Sequence, residues 1–199
     1  MKTRWWLVTA LAVVAMSAAV VSSAEENERG EYGEQGEAGE GAGFFSPAPV
    51  RAPGVVPVDN TLYTESCGSC HFAYQPGLLP ARSWDRMLKG LSDHFGENAE
   101  LPADEQAKLR DYLMANAADT SNAKRSRRIA ESIAPDEAPL RITETAYFKR
   151  QHHELSARRV KDNPDVRSFS NCAACHTRAA EGSYREGEVR IPGYRNYER

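Results

Sequence analysis

The hydrophobic positions of this 199-residue chain fall into three regimes. From Trp5 to Val21 they are nearly continuous, broken by Thr9 and Ser17, with Lys2 and Arg4 ahead and small Ser22 and Ala24 behind. A basic start, an apolar middle and small residues at the cleavage positions predict a secretory signal peptide over 1–24, cut after Ala24. The alternative is an uncleaved anchor, although a 17-residue run lies at the short edge of the roughly 20 that cross a bilayer. In the second regime, "EENERGEYGEQGEAGEGAG" from Glu25 to Gly43, apolar positions almost vanish. Such a stretch cannot offset its ordering entropy by burial, which predicts disorder. Pro47, Pro49, Pro53 and Pro57 follow, so 25–55 reads as an acidic tail passing into a stiff lead-in.

From Val56 onward the apolar spacing becomes helical, with little sign of strands. "VDNTLYTESCGSCH" opens with a helix capped at Asp59 or Asn60. Trp84, Met87, Leu88, Leu91 and Phe95 share one face of a helix that Ser83 can cap and Gly96 can end. "LPADEQAKLRDYLMANA" is amphipathic, with Leu109, Tyr112 and Leu113 inward. Thr143 or Thr145 can open a helix to about Leu155, and "DVRSFSNCAACHTRAA" predicts another, with Gly182 beyond its end. The expected class is all-α: two small units with long loops and little or no sheet. The first unit spans 56–122 and the second 123–199.

Composition changes the picture mainly by where the charge sits. The net charge is −3, yet Glu25–Gly43 alone carries seven Glu against one Arg. Without residues 1–43 the chain has 22 basic and 21 acidic residues. A nucleic-acid binder is therefore not indicated. The cluster Lys124, Arg125, Arg127 and Arg128 reads first as a solvated helix face. A contact to the anionic groups of a ligand or to an acidic partner is the sharper reading.

All four cysteines lie in Cys67-Gly-Ser-Cys70-His71 and Cys172-Ala-Ala-Cys175-His176. Cys-x-x-Cys-His is the c-type haem attachment signature. Two thiols three residues apart can add to the two vinyl groups of one porphyrin, and the next histidine then lies under the iron. A four-cysteine zinc site would not require a histidine after both pairs. A thioredoxin-like pair would want one motif in a βαβ setting. Two covalently bound haem c groups (iron) follow, with Cys67, Cys70, Cys172 and Cys175 as anchors and His71 and His176 as proximal ligands. Each unit is then expected to be a small c-type cytochrome haem domain, the first resembling class I, and haem propionates are the anionic groups that the cluster at Lys124 to Arg128 could meet. What fills each sixth position decides the function. The remaining histidines are His94, His152 and His153; Met87 and Met114 are the methionines beyond the leader. His94 lies at the edge of the Trp84 face, where Met87 could compete. His152 shares a face with Phe148, and His153 falls on the more charged side.

Beyond the haem motif, "YTESCGSCHFAYQPGLLPARSW", "LSDHFGENAEL", "RITETAYFKRQHHEL", "FSNCAACHTRAAEGSY" and "VRIP" resemble the bacterial dihaem cytochromes c of the DHC type, over about Val56 to Pro192. The resemblance implies a periplasmic, bis-histidine electron carrier, with His94 and His152 as distal ligands. It further implies redox partner proteins: a small high-spin monohaem cytochrome c, and a membrane b-type cytochrome as donor. No general acid/base or nucleophile constellation stands out, so an electron-transfer protein rather than an enzyme is expected, with no membrane span once the leader is cut. The rivals are a dihaem peroxidase-like enzyme and a haem-based gas or redox sensor with one labile distal ligand. The Glu/Gly tail is not part of the family pattern.

Overall fold

The computed structural model describes residues 54–194. The leader and the acidic tail fall outside them. All described residues belong to one compact unit, 47–199. Six α-helices carry it: α1 Thr61–Gly68, α2 Ala81–Lys89, α3 Ala103–Asn116, α4 Lys124–Ala130, α5 Ala146–His152 and α6 Cys172–Cys175. Among the described residues pairing of strand type is confined to two isolated bridges, His94 with Glu97 and His176 with Val189.

Local chemistry explains the helix starts. Asn60 Oδ1 accepts the Tyr63 amide at 2.8 Å and caps α1; Thr145 Oγ1 accepts the Phe148 amide at 3.2 Å and caps α5. Other boundaries depart from the pattern. α2 starts at Ala81, on Pro80, and stops before Gly90. His94 therefore lies beyond the helix predicted to carry it, in a tight turn where its amide donates to Glu97 O at 2.7 Å. Asp93 Oδ1 accepts the Gly96 amide at 3.0 Å, and the turn places Phe95 at φ 61° and Gly96 at φ 99°. Gly96 reaches that region freely; Phe95 is held there at a cost of about 1–3 kcal/mol. The apolar stripe through Phe95 is thus not one helix face. α5 ends at His152 rather than near Leu155. The helix predicted through the second cysteine pair shrinks to α6, because Pro164 and Arg167 at φ 65° break the stretch before it. Gly182, at φ 71°, ends the following turn as expected.

Two apolar clusters hold the fold. The first gathers Tyr63, Leu79, Trp84, Leu88, Leu109, Leu113 and Ala117 around the α2–α3 contact. Trp84 Nε1 donates to Pro76 O at 2.8 Å, and Gln106 Nε2 donates to Leu88 O at 2.6 Å, satisfying buried carbonyls on both sides. Met87 and Met114 pack against this cluster. The second joins Val55 and Leu78 to Ala118, Ile129 and Ile133. It spans both halves of the sequence, and Val55, at the end of the expected lead-in, is fully buried.

Candidate metal centres

Each Cys-x-x-Cys-His motif sits at a helix end, with a second histidine opposite. At the first centre, α1 carries Cys67 in its last turn, and Cys70 and His71 follow. The His71 ring Nδ1 donates to Phe72 O at 2.8 Å. The turn after α2 brings the His94 ring to face it, centroids 6.2 Å apart and planes 23° apart. The Arg141 guanidinium lies 3.9 Å over the Phe95 ring, bracing that turn.

At the second centre, α6 spans Cys172 to Cys175, and Cys172 O accepts the His176 amide at 2.8 Å. The last residue of α5 supplies His152, whose Nδ1 donates to Phe148 O at 3.0 Å and whose ring stacks on Phe148 at 3.9 Å. His152 and His176 face each other at 6.1 Å, planes 80° apart. His153 points outward, beside Glu154. A cavity of about 630 Å³ holds the pair, with Cys172, Cys175, Leu78, Tyr184 and Arg125 in its wall.

These separations provide a test of fit. Two imidazoles binding one metal from opposite sides, each with a metal–nitrogen bond of about 2.0 Å and its ring centre about 1.1 Å further out, have centroids about 6.2 Å apart. Both pairs meet that spacing without contact between the rings. The second cavity also holds unsatisfied polar atoms: Arg125 Nε and His176 Nδ1 are buried without a hydrogen-bond partner. A group with carboxylates fits beside such a guanidinium. Among the described residues no cluster of three or more His, Cys, Asp or Glu side chains gathers, so the cysteines are not brought together as a zinc site would need.

The electrostatics agree. Burial pushes the Cys67 and Cys172 thiols up to about 11, so they stay protonated. Burial, then His152 and Arg125, brings His176 down to about 4. His94 and His152 are lowered as well, chiefly by burial. Neutral imidazole is the ligating form.

The two centres are joined through buried polar groups. Tyr74 has its ring 5.2 Å from His71 and donates from Oη to Ser170 O at 2.6 Å. Gln75, fully buried, donates from Nε2 to Ala179 O at 2.6 Å. Tyr184 donates from Oη to Gln75 Oε1 at 2.5 Å, and its ring lies 5.2 Å from His176. The sequence reading singled out neither Gln75 nor Tyr184, because pairing over 109 residues leaves no local signal. Sequence alone groups Arg125 with Lys124, Arg127 and Arg128, first as a solvated face and, on the sharper reading, as a contact to haem propionates or an acidic partner. Arg125 shares a helix side with buried Ile129, four residues on, and that spacing was the available clue. Lys124, Arg127 and Arg128 are exposed.

A family profile described as dihaem cytochrome c matches residues 63–184. Among solved structures, the dihaem cytochrome c of Shewanella baltica OS155 is 40% identical with TM-score 0.56, covering 68% of this chain and 94% of that one. A dihaem cytochrome c from Rhodobacter sphaeroides is 43% identical with TM-score 0.58, covering 65% of this chain and all of that one. The comparison with curated proteins gives no match.

Proposed function

Since the chain belongs to the dihaem cytochrome c family, with two covalently bound haem c groups and an electron-transfer role, we propose that both haems are bis-histidine and serve a periplasmic electron carrier. In this reading Cys67 and Cys70 hold the first haem between His71 and His94. Cys172 and Cys175 hold the second between His152 and His176. The bound haem supplies a one-electron iron couple. The chain supplies thioether anchors, two histidine nitrogens at each centre, and a walled cavity around the second. The observation that carries the reading is the pair of facing rings at 6.2 and 6.1 Å. A filled sixth position favours electron transfer over binding of small ligands.

The partner we propose is a redox protein with an acidic docking face, the role expected for a small high-spin monohaem cytochrome c; a membrane b-type cytochrome would be the donor. An open groove of about 810 Å³ runs behind His152 and carries Arg141, Lys149, Lys161 and Arg167. A groove of one sign steers an oppositely charged partner toward the second centre. No helix among the described residues is long and apolar enough to cross a membrane.

Visible and low-temperature EPR spectra of the exported holo-protein, before and after reduction under carbon monoxide, test the ligands. Two low-spin haems indifferent to carbon monoxide are expected. A high-spin signal, or a rapid shift with carbon monoxide, would refute the bis-histidine assignment at that centre.

A further inference from the structure

The two centres share one ligand set but not one environment, and the differences point the same way. Oxidised iron carries one more positive charge than reduced iron. Whatever disfavours that charge raises the potential. Solvent comes first: His71 is exposed and its partner His94 half-exposed, whereas His152 and His176 face each other inside a walled cavity. A charge is less stable away from water.

Fixed charge comes second. Arg125 lies in the wall of the second cavity, donating from Nη1 to Tyr147 Oη at 2.8 Å and from Nη2 to Tyr184 O at 3.0 Å. Both partners are neutral. At the first centre the corresponding cation is Arg141, which lies in the open and is paired with Glu144 at 3.8 Å. Of the acidic residues in the same wall, Glu188 is paired with Arg178 and Arg185 and Glu186 is exposed. A half-buried cation with neutral hydrogen-bond partners in the chain acts more strongly than an exposed one paired with a carboxylate. Every haem brings the same two propionates, so those charges do not distinguish the centres.

The second shell comes third. His71 and His152 each donate Nδ1–H to a carbonyl, which makes the imidazole a stronger donor and stabilises oxidised iron. The remaining ligands differ. His176 Nδ1 is buried without a partner, whereas no ring nitrogen of His94 is so buried.

We propose that the His152/His176 centre has the higher potential of the two, so that an electron entering at the His71/His94 centre passes inward and rests at the second. The proposal builds on the ligand assignment above. In the internal step one iron(II) becomes iron(III) as the other iron(III) becomes iron(II). No proton moves, because Tyr184 Oη keeps its hydrogen toward Gln75 Oε1. Tyr74, Gln75 and Tyr184 give that electron a connected route of covalent and hydrogen bonds between the His71 and His176 sides.

The ring planes make the test site-specific. Near-parallel axial imidazoles give an ordinary rhombic low-spin EPR signal, and near-perpendicular ones a near-axial signal with a large maximal g value. The 23° pair is the first centre and the 80° pair the second. In an EPR-monitored reductive titration of the full holo-protein, the near-axial signal should disappear first. The rhombic signal disappearing first, or both together, overturns the proposal. A high-spin signal in the oxidised protein before any titration refutes the ligand assignment instead, a separate failure. Arg125→Gln should lower the midpoint of the near-axial signal and leave the rhombic one in place; a shift confined to the rhombic signal, or none, overturns the order. If that variant does not fold, the order in which the two signals disappear in the titration of the parent protein decides alone.

Discussion

Replacing Tyr184 by Phe removes one hydroxyl and little else. The ring that lies against His176 and Arg125 stays; the hydrogen bond to Gln75 Oε1 is lost. Gln75 is fully buried, so its amide oxygen is left unpaired where water cannot replace the donor. An orphaned buried acceptor costs about 1–3 kcal/mol. At roughly 2–4 °C per kcal/mol for a body of this size, the holo-protein should melt about 2–12 °C lower. Thermal unfolding followed by far-ultraviolet circular dichroism reads this out. The double variant Gln75→Leu/Tyr184→Phe sharpens the test. It removes both partners at once, and Ala179 O keeps the Gly182 amide at 2.9 Å. Stability should recover most of the loss, since removing a pair together is far less damaging than orphaning one member. A Tyr184→Phe change within about 0.5 kcal/mol of the parent, the range of ordinary surface substitutions, would refute the view that this bond ties the two halves.

Other outcomes follow from the same geometry. His94→Ala and His152→Ala should each turn one haem high-spin and open it to carbon monoxide while the other keeps its low-spin spectrum; two unchanged haems in either variant would refute that ligand. Leu109→Ala, at the centre of the first cluster and fully buried, should cost about 2–5 kcal/mol in denaturant unfolding. Burial raises the Tyr74 phenol to about 12 and holds Tyr63 and Tyr184 above their ordinary range as well. The native state therefore keeps phenolic protons that the unfolded chain gives up near pH 10. Stability should be intact below that pH and fall between about pH 10 and 12, and a flat alkaline limb in an unfolding titration would contradict the burial of these rings.

The sequence disclosed what short-range chemistry encodes. Adjacent Cys, Cys and His in each motif need no tertiary information, so the two motifs stood out at once as candidate attachment sites. Caps at Asn60 and Thr145 were readable because the acceptor and the amide it satisfies are three residues apart. Helix α3 and its inward leucines were readable from period alone. His94 shows how a correct face can come from a wrong element. The stripe from Trp84 placed it on a helix, while Gly90 ends that helix and a turn at Asp93–Glu97 delivers the ring. The apolar spacing persisted across the break because the turn continues to face the same cluster, through Leu91. Periodicity reports which side a residue faces, not whether the backbone between is helical. What separates the two centres was invisible for a different reason. Arg125, Gln75 and Tyr184 are distant in sequence, and their importance comes from being hydrogen-bonded together rather than from residue type. A guanidinium on an exposed face of α4 would be one more solvated charge; four residues before buried Ile129 it becomes part of a cavity wall. Two identical motifs thus acquire different chemistry from the walls they are set in, which is where a two-haem chain can encode a direction for its electrons.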